Sequence, residues 1–160
     1  KLCKINPKNN IIACEVYKDG NFSLMKKIHK QNIKNVNVFN DNFLLLLKNI
    51  PKNSIEEYWL LFPDPWPKKR HNKRRIISSE FLERLCFTLK KSGRIFIATD
   101  NSNYFLSIMM KILKLDYLKW ENDRFYLWEN PFDNMVKTVF YLKAKKNGEK
   151  PVFISLKKNI

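Results

Sequence analysis

Runs of apolar residues and the polar breaks between them divide this chain into short strands and helices. Asn10 to Tyr17, with Ile11-Ile12-Ala13-Cys14 at its heart, is a compact β-branched run that predicts a buried strand. Asp19-Gly20 punctuates the chain after it. Phe22, Leu24, Met25 and Ile28 then recur at helical spacing as far as Gln31. Asn35 to Phe39 predicts a second strand, followed by Asn40-Asp41, and Phe43 to Ile50 a short apolar helix stopped by Pro51. Ile55 to Phe62 predicts a third strand. Its core, Tyr58-Trp59-Leu60-Leu61-Phe62, lacks alternation, as a central parallel strand covered on both faces does. Ser79 is placed to cap a helix through Lys90, with Phe81, Leu82, Leu85 and Leu89 on one face. Ser92-Gly93 reads as a turn, Arg94 to Thr99 as a fourth strand, and Asn101 to Lys114 as a further helix. Beyond Leu115, Tyr117 to Trp120 and Pro151 to Leu156 predict strands, and Val136 to Lys146 a helix or an ordered loop.

This β-α-β-α-β-α-β series predicts an α/β fold with an open, mostly parallel, doubly wound sheet and helices on both faces. Ligands of such sheets bind outside the carboxyl ends of the strands. Glu15, Asp41, Asp64 and Asp100 stand at or just past four predicted strand ends. Each alone also suits a cap or a loop. Four at four ends, in a chain whose 15 Asp+Glu face 31 Lys+Arg, point to a binding edge. Glu15 fits the carboxylate that takes ribose hydroxyls in dinucleotide-type folds, provided one strand precedes it. The chain opens on Lys1 instead of Met and has only three glycines, Gly20, Gly93 and Gly148, with no G-x-G-x-x-G. A strand and a glycine-rich turn are therefore expected either upstream of these residues or not at all.

At 160 residues and 44% hydrophobic, residues 1–160 suit a single domain with a real core. No apolar run approaches the length of a membrane span, and no signal-peptide core is visible. Cys3, Cys14 and Cys86 lie far apart without a C-x-x-C pair. That argues against a disulfide framework and a cysteine zinc site, and for a reducing cytoplasm; no metal is expected.

The net charge of +16 admits two readings. One is a polyanionic partner. The other is codon bias, because 25 Lys against 6 Arg and abundant Asn also follow from an AT-rich genome. Clustering is more informative than the total. Lys68, Lys69, Arg70, Lys73, Arg74 and Arg75 put six cations in eight positions, with His71 and Asn72 among them, directly after a predicted central strand. Phosphate contacts of this kind dominate affinity for nucleic acid. Pro63, Pro65 and Pro67 stiffen the approach and are expected to hold Asp64 and Trp66 extended. A carboxylate and an indole on a rigid loop suit the edge and face of a guanine. Trp66 suits an ordinary core position equally well.

The run F-P-D-P-W-P-K-K-R-H-N-K-R-R, Phe62 to Arg75, resembles the signature of the bacterial tRNA (guanine-N7-)-methyltransferase family. The resemblance extends over nearly the whole chain. It includes N-P-x-x-x-x-I-A-C-E-V-Y at Asn6 to Tyr17, Asn40-Asp41, I-P-x-x-S-I at Ile50 to Ile55, A-T-D at Ala98 to Asp100, and T-x-F-x-x-K-A-x-x-x-G-x-x-P-x-F from Thr138 to Phe153. It implies a Rossmann-like methyltransferase fold, S-adenosylmethionine as cofactor, tRNA as partner, and methylation of N7 of guanine 46. By motif, Glu15, Asp41 and Asp64 would bind the cofactor, with Asp64 between cofactor and guanine as the catalytic group. Lys68, Arg70, His71, Asn72, Lys73, Arg74 and Arg75 would hold RNA. Asp100, Thr138, Val139, Phe140 and Tyr141 would contact the substrate. Two departures stand out. Tyr141 occupies a position where the family usually has Glu, and the family's E-x-G-x-G-x-G loop is not in this chain. The loop's absence from the chain keeps a second expectation open, a methyltransferase domain that only binds RNA.

Overall fold

The structure, a computed structural model, describes residues 2–5 and 7–159. Lys1, Asn6 and Ile160 lie outside the described residues, and with Asn6 the first position of the N-terminal motif. The chain forms two compact units, Lys1–Ile50 and Pro51–Ile160.

The first unit runs α1 (Leu2–Ile5), β1 (Ile11–Cys14), α2 (Lys18–Lys30), β2 (Val36–Phe39) and α3 (Phe43–Asn49). β1 and β2 pair in parallel, from Ile11 opposite Val36 to Cys14 opposite Phe39. A helical crossover between parallel strands is what the change from period two to period 3.6 predicts. α2 starts four residues earlier than the apolar spacing suggests, so Asp19-Gly20 lies inside the helix and does not break it. Asp19 in the first turn faces the positive end of the helix dipole, and its Oδ2 accepts from the Tyr17 hydroxyl at 2.9 Å. Asn42 caps α3, its side-chain oxygen accepting from the Leu44 amide at 2.9 Å. Ile50, ahead of Pro51, is extended and ends that helix.

The second unit holds β3 (Ile55–Leu61), a 3₁₀ helix at Lys69–Arg74, α4 (Ser79–Thr88), β4 (Leu89–Thr99), α5 (Ser102–Ile112), β5 (Leu118–Trp120), a 3₁₀ turn at Phe125–Leu127, α6 (Val139–Lys146) and β6 (Val152–Lys158). The sheet order is β3-β4-β6-β5. β3 and β4 are parallel, while β6 runs antiparallel to both of its neighbours, β4 and β5. One reversed strand thus sits inside an otherwise parallel set.

Strand alternation sorts the side chains into two faces. Tyr58, Ile95, Ile97, Ile154 and Leu156 share one face, by register, and all are buried. Tyr58 reaches α4 from it, its hydroxyl 2.7 Å from Thr88 Oγ1. On the other face Trp59, Phe96 and Phe153 meet Phe132, with ring centroids 4.4 Å apart for Trp59–Phe96, 4.9 Å for Phe96–Phe132 and 5.4 Å for Phe132–Phe153. The unalternating Tyr58-Trp59-Leu60 run reflects this two-sided cover.

Two local expectations shift. Ser78, not Ser79, caps α4, accepting from the Phe81 amide at 3.1 Å. The helix stops at Thr88, and Ser92-Gly93 falls inside the span of β4, where the register jumps: Ile55 faces Leu89, but Glu57 faces Arg94. The extra residues make a bulge with Ser92 at φ 63. A Cβ on Gly93 would lie 2.9 Å from the Lys90 carbonyl oxygen and 3.0 Å from that of Glu56, so only glycine lets the strands close there.

Candidate active site

The carboxyl ends of the parallel strands carry the acidic residues in both units. In the first, the Glu15 amide extends the ladder to the Phe39 carbonyl at 3.2 Å, and Asp41 follows β2 two residues later. Both carboxylates are exposed. Glu15 Oε1 accepts from the Tyr17 amide at 2.9 Å, and Asp41 Oδ1 from the Asn42 amide at 2.6 Å. Between the strand ends, the Cys14 thiol donates to the Asp41 carbonyl at 3.3 Å. Burial pushes this thiol's pKa up, and the charges of Glu15 and Asp41 push it further. Asn21, buried on α2, donates to the Glu15 carbonyl at 2.6 Å and fixes the backbone that carries the carboxylate.

In the second unit the Phe62 amide bonds the Ala98 carbonyl at 2.8 Å, so β3 and β4 end together. Asp64 and Asp100 therefore leave the same sheet edge. Phe62 and Trp66 are both left-handed, at φ 55 and 42. For non-glycine residues this costs about 1–3 kcal/mol each, and such strain gathers at functional sites. The expectation that the prolines hold Trp66 extended is corrected. Pro67 bars the right-handed region, and the left-handed turn brings the indole to His71 and Arg74. The ring meets His71 edge-on at 5.8 Å and lies under the Arg74 guanidinium at 4.9 Å. Asp64 is exposed, as are Lys68, Lys69, Arg70, Asn72, Lys73 and Arg74. Lys69–Arg74 thus forms a single 3₁₀ helix, flanked by extended Lys68 and Arg75, that presents the exposed cations of the run.

Arg75 differs from the rest of the run. It is half-buried, its Nε donates to the Pro65 carbonyl at 2.7 Å, and its guanidinium lies 4.9 Å from the Tyr104 ring centre. Tyr104 is fully buried on α5, and its hydroxyl accepts from the Ile77 amide at 3.2 Å. Burial raises the pKa of this phenol; the Ile77 amide and the Arg75 charge oppose the rise, and the Asp64 carboxylate adds to it. Asn101 caps α5 directly after Asp100, accepting from the Tyr104 amide at 2.9 Å. Thr138 caps α6, accepting from the Tyr141 amide at 3.1 Å. Val139 and Phe140 project outward, 75% and 59% exposed, while Tyr141 turns toward Phe153 with ring centres 6.2 Å apart.

A family model described as "Putative methyltransferase" matches residues 1–154. The chain belongs to this methyltransferase family. It is 37% identical over 145 residues to a tRNA (guanine-N(7)-)-methyltransferase of Wolbachia pipientis wMel, covering 91% of this chain and 62% of that protein. It is also 37% identical over 154 residues to a bifunctional methyltransferase of Rickettsia conorii, covering 96% of this chain and 29% of that protein. The chain therefore spans less than two thirds of the length of either. Among solved structures, it superposes on an rRNA methylase from Streptococcus thermophilus with TM-score 0.62 and 14% identity, over 94% of this chain and 74% of that one. A protein of the same description as the family, from Streptococcus mutans in complex with SAH, gives TM-score 0.56 at 14% identity, over 94% and 76%. The fold is the Rossmann-like methyltransferase fold that the sequence led us to expect.

Within this methyltransferase frame, the structure brings Glu15 and Asp41 to one edge, and Asp64, the basic helix and Asp100 to another. Thr138 serves as a helix cap, its hydroxyl oxygen engaged as an acceptor. Asn21 and Tyr104 were not singled out by sequence. Asn21 falls between the Asp19-Gly20 break and the first apolar residue of the expected helix, and joins the helix only because α2 starts at Lys18, while Tyr104 reads as one more core aromatic.

Proposed function

We propose that this chain supplies the catalytic domain of a methyltransferase that transfers a methyl group from S-adenosylmethionine to N7 of a guanine in tRNA, at position 46. The reading rests above all on one juxtaposition: Asp64, on a strained proline-rich loop, stands between the end of a parallel strand and a 3₁₀ helix of exposed cations. The names carried by similar proteins agree with it. A cytoplasmic location is part of the same proposal, consistent with three free cysteines.

The donor set fits the cofactor. Glu15 commits only Oε1 to its own loop, so its other oxygen suits a ribose hydroxyl. Asp41, one strand over, suits the adenine side. When bound, the cofactor supplies an electrophilic methyl on a sulfonium. Guanine N7 carries an in-plane lone pair and no proton, so no side chain has to act as a general base. Asp64 orients the base and stabilises the positive charge that develops on it, and positioning supplies most of the acceleration. The cations from Lys68 to Arg74 hold phosphates, and His71 and Asn72 line the same helix. Asp100 and the Thr138–Tyr141 segment complete the substrate side, with Tyr141 replacing a carboxylate acceptor by a phenol.

The experiment is methyl transfer by the full-length protein from labelled S-adenosylmethionine to tRNA, with the modified base located by reductive strand scission at N7-methylguanine. Scission in the variable loop is expected. Label at another base would sink the assignment, and cofactor-independent RNA binding without transfer would favour an RNA-binding module. Asp64→Asn should lower turnover far more than tRNA affinity. An equal fall in both would make Asp64 a binding residue.

A further inference from the structure

Of the six cations between Lys68 and Arg75, five are exposed and one is turned inward. That one, Arg75, touches each piece of the Asp64–Asp100 edge. Its amide closes the 3₁₀ helix on the Asn72 carbonyl at 3.1 Å. Its Nε holds the carbonyl of Pro65, the residue after Asp64. Its guanidinium covers Tyr104, in the first turn of the helix that Asn101 caps immediately after Asp100. The Tyr104 hydroxyl returns to the Ile77 amide two residues beyond Arg75, so the contacts close a ring.

We propose that Arg75 is a positioning residue that sets the Asp64 loop against α5 and Asp100, and is not a phosphate ligand. The chemistry requires arginine. A guanidinium donates through Nε in its own plane while its face stacks on an aromatic ring, and an ammonium cannot do both. Phe62 and Trp66 are strained, so their loop persists only if something outside it holds it. The Arg75–Pro65 bond is placed to do so, at a carbonyl between the strained residues Phe62 and Trp66. The charge of Arg75 is also felt inside the fold. Burial, and then Arg75, lowers the pKa of Lys111 on α5.

This inference rests on the tRNA-methylation reading for its affinity and turnover arms, and the cleavage arm is independent of it. The test compares Arg75→Lys and Arg75→Gln in the full-length protein by three measurements. These are the salt dependence of tRNA affinity, turnover at saturating tRNA, and the rate of trypsin cleavage between residues 68 and 74 without RNA. Both variants should keep the wild-type salt slope. Both should lose turnover by about a hundredfold, the scale of a small misplacement of reacting groups. Both should expose the loop to faster cleavage while thermal melting stays near wild type. The proposal is overturned if Arg75→Lys keeps turnover while Arg75→Gln loses about one unit of salt slope, the behaviour of a phosphate contact. It is equally overturned if neither variant changes turnover or cleavage. Should Arg75→Gln fail to fold, Arg75→Lys keeps the aliphatic stem and the charge and decides the matter. A wild-type protein that methylates no tRNA would defeat the functional reading, while the cleavage arm would still decide the role of Arg75.

Discussion

Arg94 Nε lies 2.9 Å from one oxygen of Glu121 and 3.2 Å from the other, joining the start of the regular β3–β4 ladder to the residue just past β5. Ser155 adds its hydroxyl to the same carboxylate at 2.8 Å. Burial pushes the Glu121 pKa up, but Arg94, Ser155 and the charge of Lys157 outweigh it and hold the carboxyl below its usual value. A depressed folded pKa contributes stability that is present above the unfolded value and lost as pH falls through the folded one. Glu121→Gln should therefore lower the melting temperature near neutral pH. The gap from wild type should close as pH drops below the usual glutamate value of about 4.3. A gap independent of pH would mean that the ionised form is not the one stabilised.

Gly93→Ala should destabilise the protein. The added methyl would sit 2.8 Å from a Leu89 methyl and 2.9–3.0 Å from two carbonyl oxygens, and backbone cannot rotate away as a side chain can. A cost of about 1–3 kcal/mol is expected, the usual penalty of overpacking. Urea unfolding measures it; an unchanged midpoint would show that β3 and β4 part without cost at the bulge.

Asn122 holds the end of the sheet together. Its Oδ1 accepts from Trp120 Nε1 and from the Ser155 amide, each at 2.8 Å, and its Nδ2 donates to the Phe153 carbonyl at 2.8 Å. Asn122→Ala removes three bonds to half-buried or buried groups, at about 1 kcal/mol apiece. A fall of about 2–3 kcal/mol in unfolding free energy is expected, together with a change in near-ultraviolet circular dichroism, because Trp120 stacks on Trp128 at 5.2 Å. Loss of stability without a spectral change would place the effect away from the tryptophan pair.

Cys14 reports on the first unit's acidic edge. Burial first, and then the carboxylates of Glu15 and Asp41, disfavour its thiolate. Glu15→Gln and Asp41→Asn should each lower the thiol pKa and speed its alkylation by iodoacetamide at mildly alkaline pH. Cys3 and Cys86, both buried, serve as internal references. Alkylation at the wild-type rate in both variants would separate Cys14 from the two carboxylates.

The spacing of apolar residues set the order of strands and helices in this protein, and with it the strand ends that carry Glu15 and Asp41 in the first unit and Asp64 and Asp100 in the second. It could do so because burial repeats with period two in strands and 3.6 in helices, and loop acids follow strand ends whatever the packing. What depended on tertiary contact was not legible. Gly93 reads as a turn glycine until Glu56 arrives across the ladder. β6 reads as one more strand, and its reversed direction is set only by pairing with β4 and β5. Trp66 reads as extended before Pro67, and its left-handed turn brings it to His71 and Arg74, contacts that the sequence does not show. The tertiary structure also divided a uniform basic run. Six like charges in sequence are equivalent by composition, but the fold around the 3₁₀ helix exposes five and turns Arg75 onto Tyr104. A cation's role is set by the acceptor and the ring it meets, and both of Arg75's partners belong to other parts of the fold.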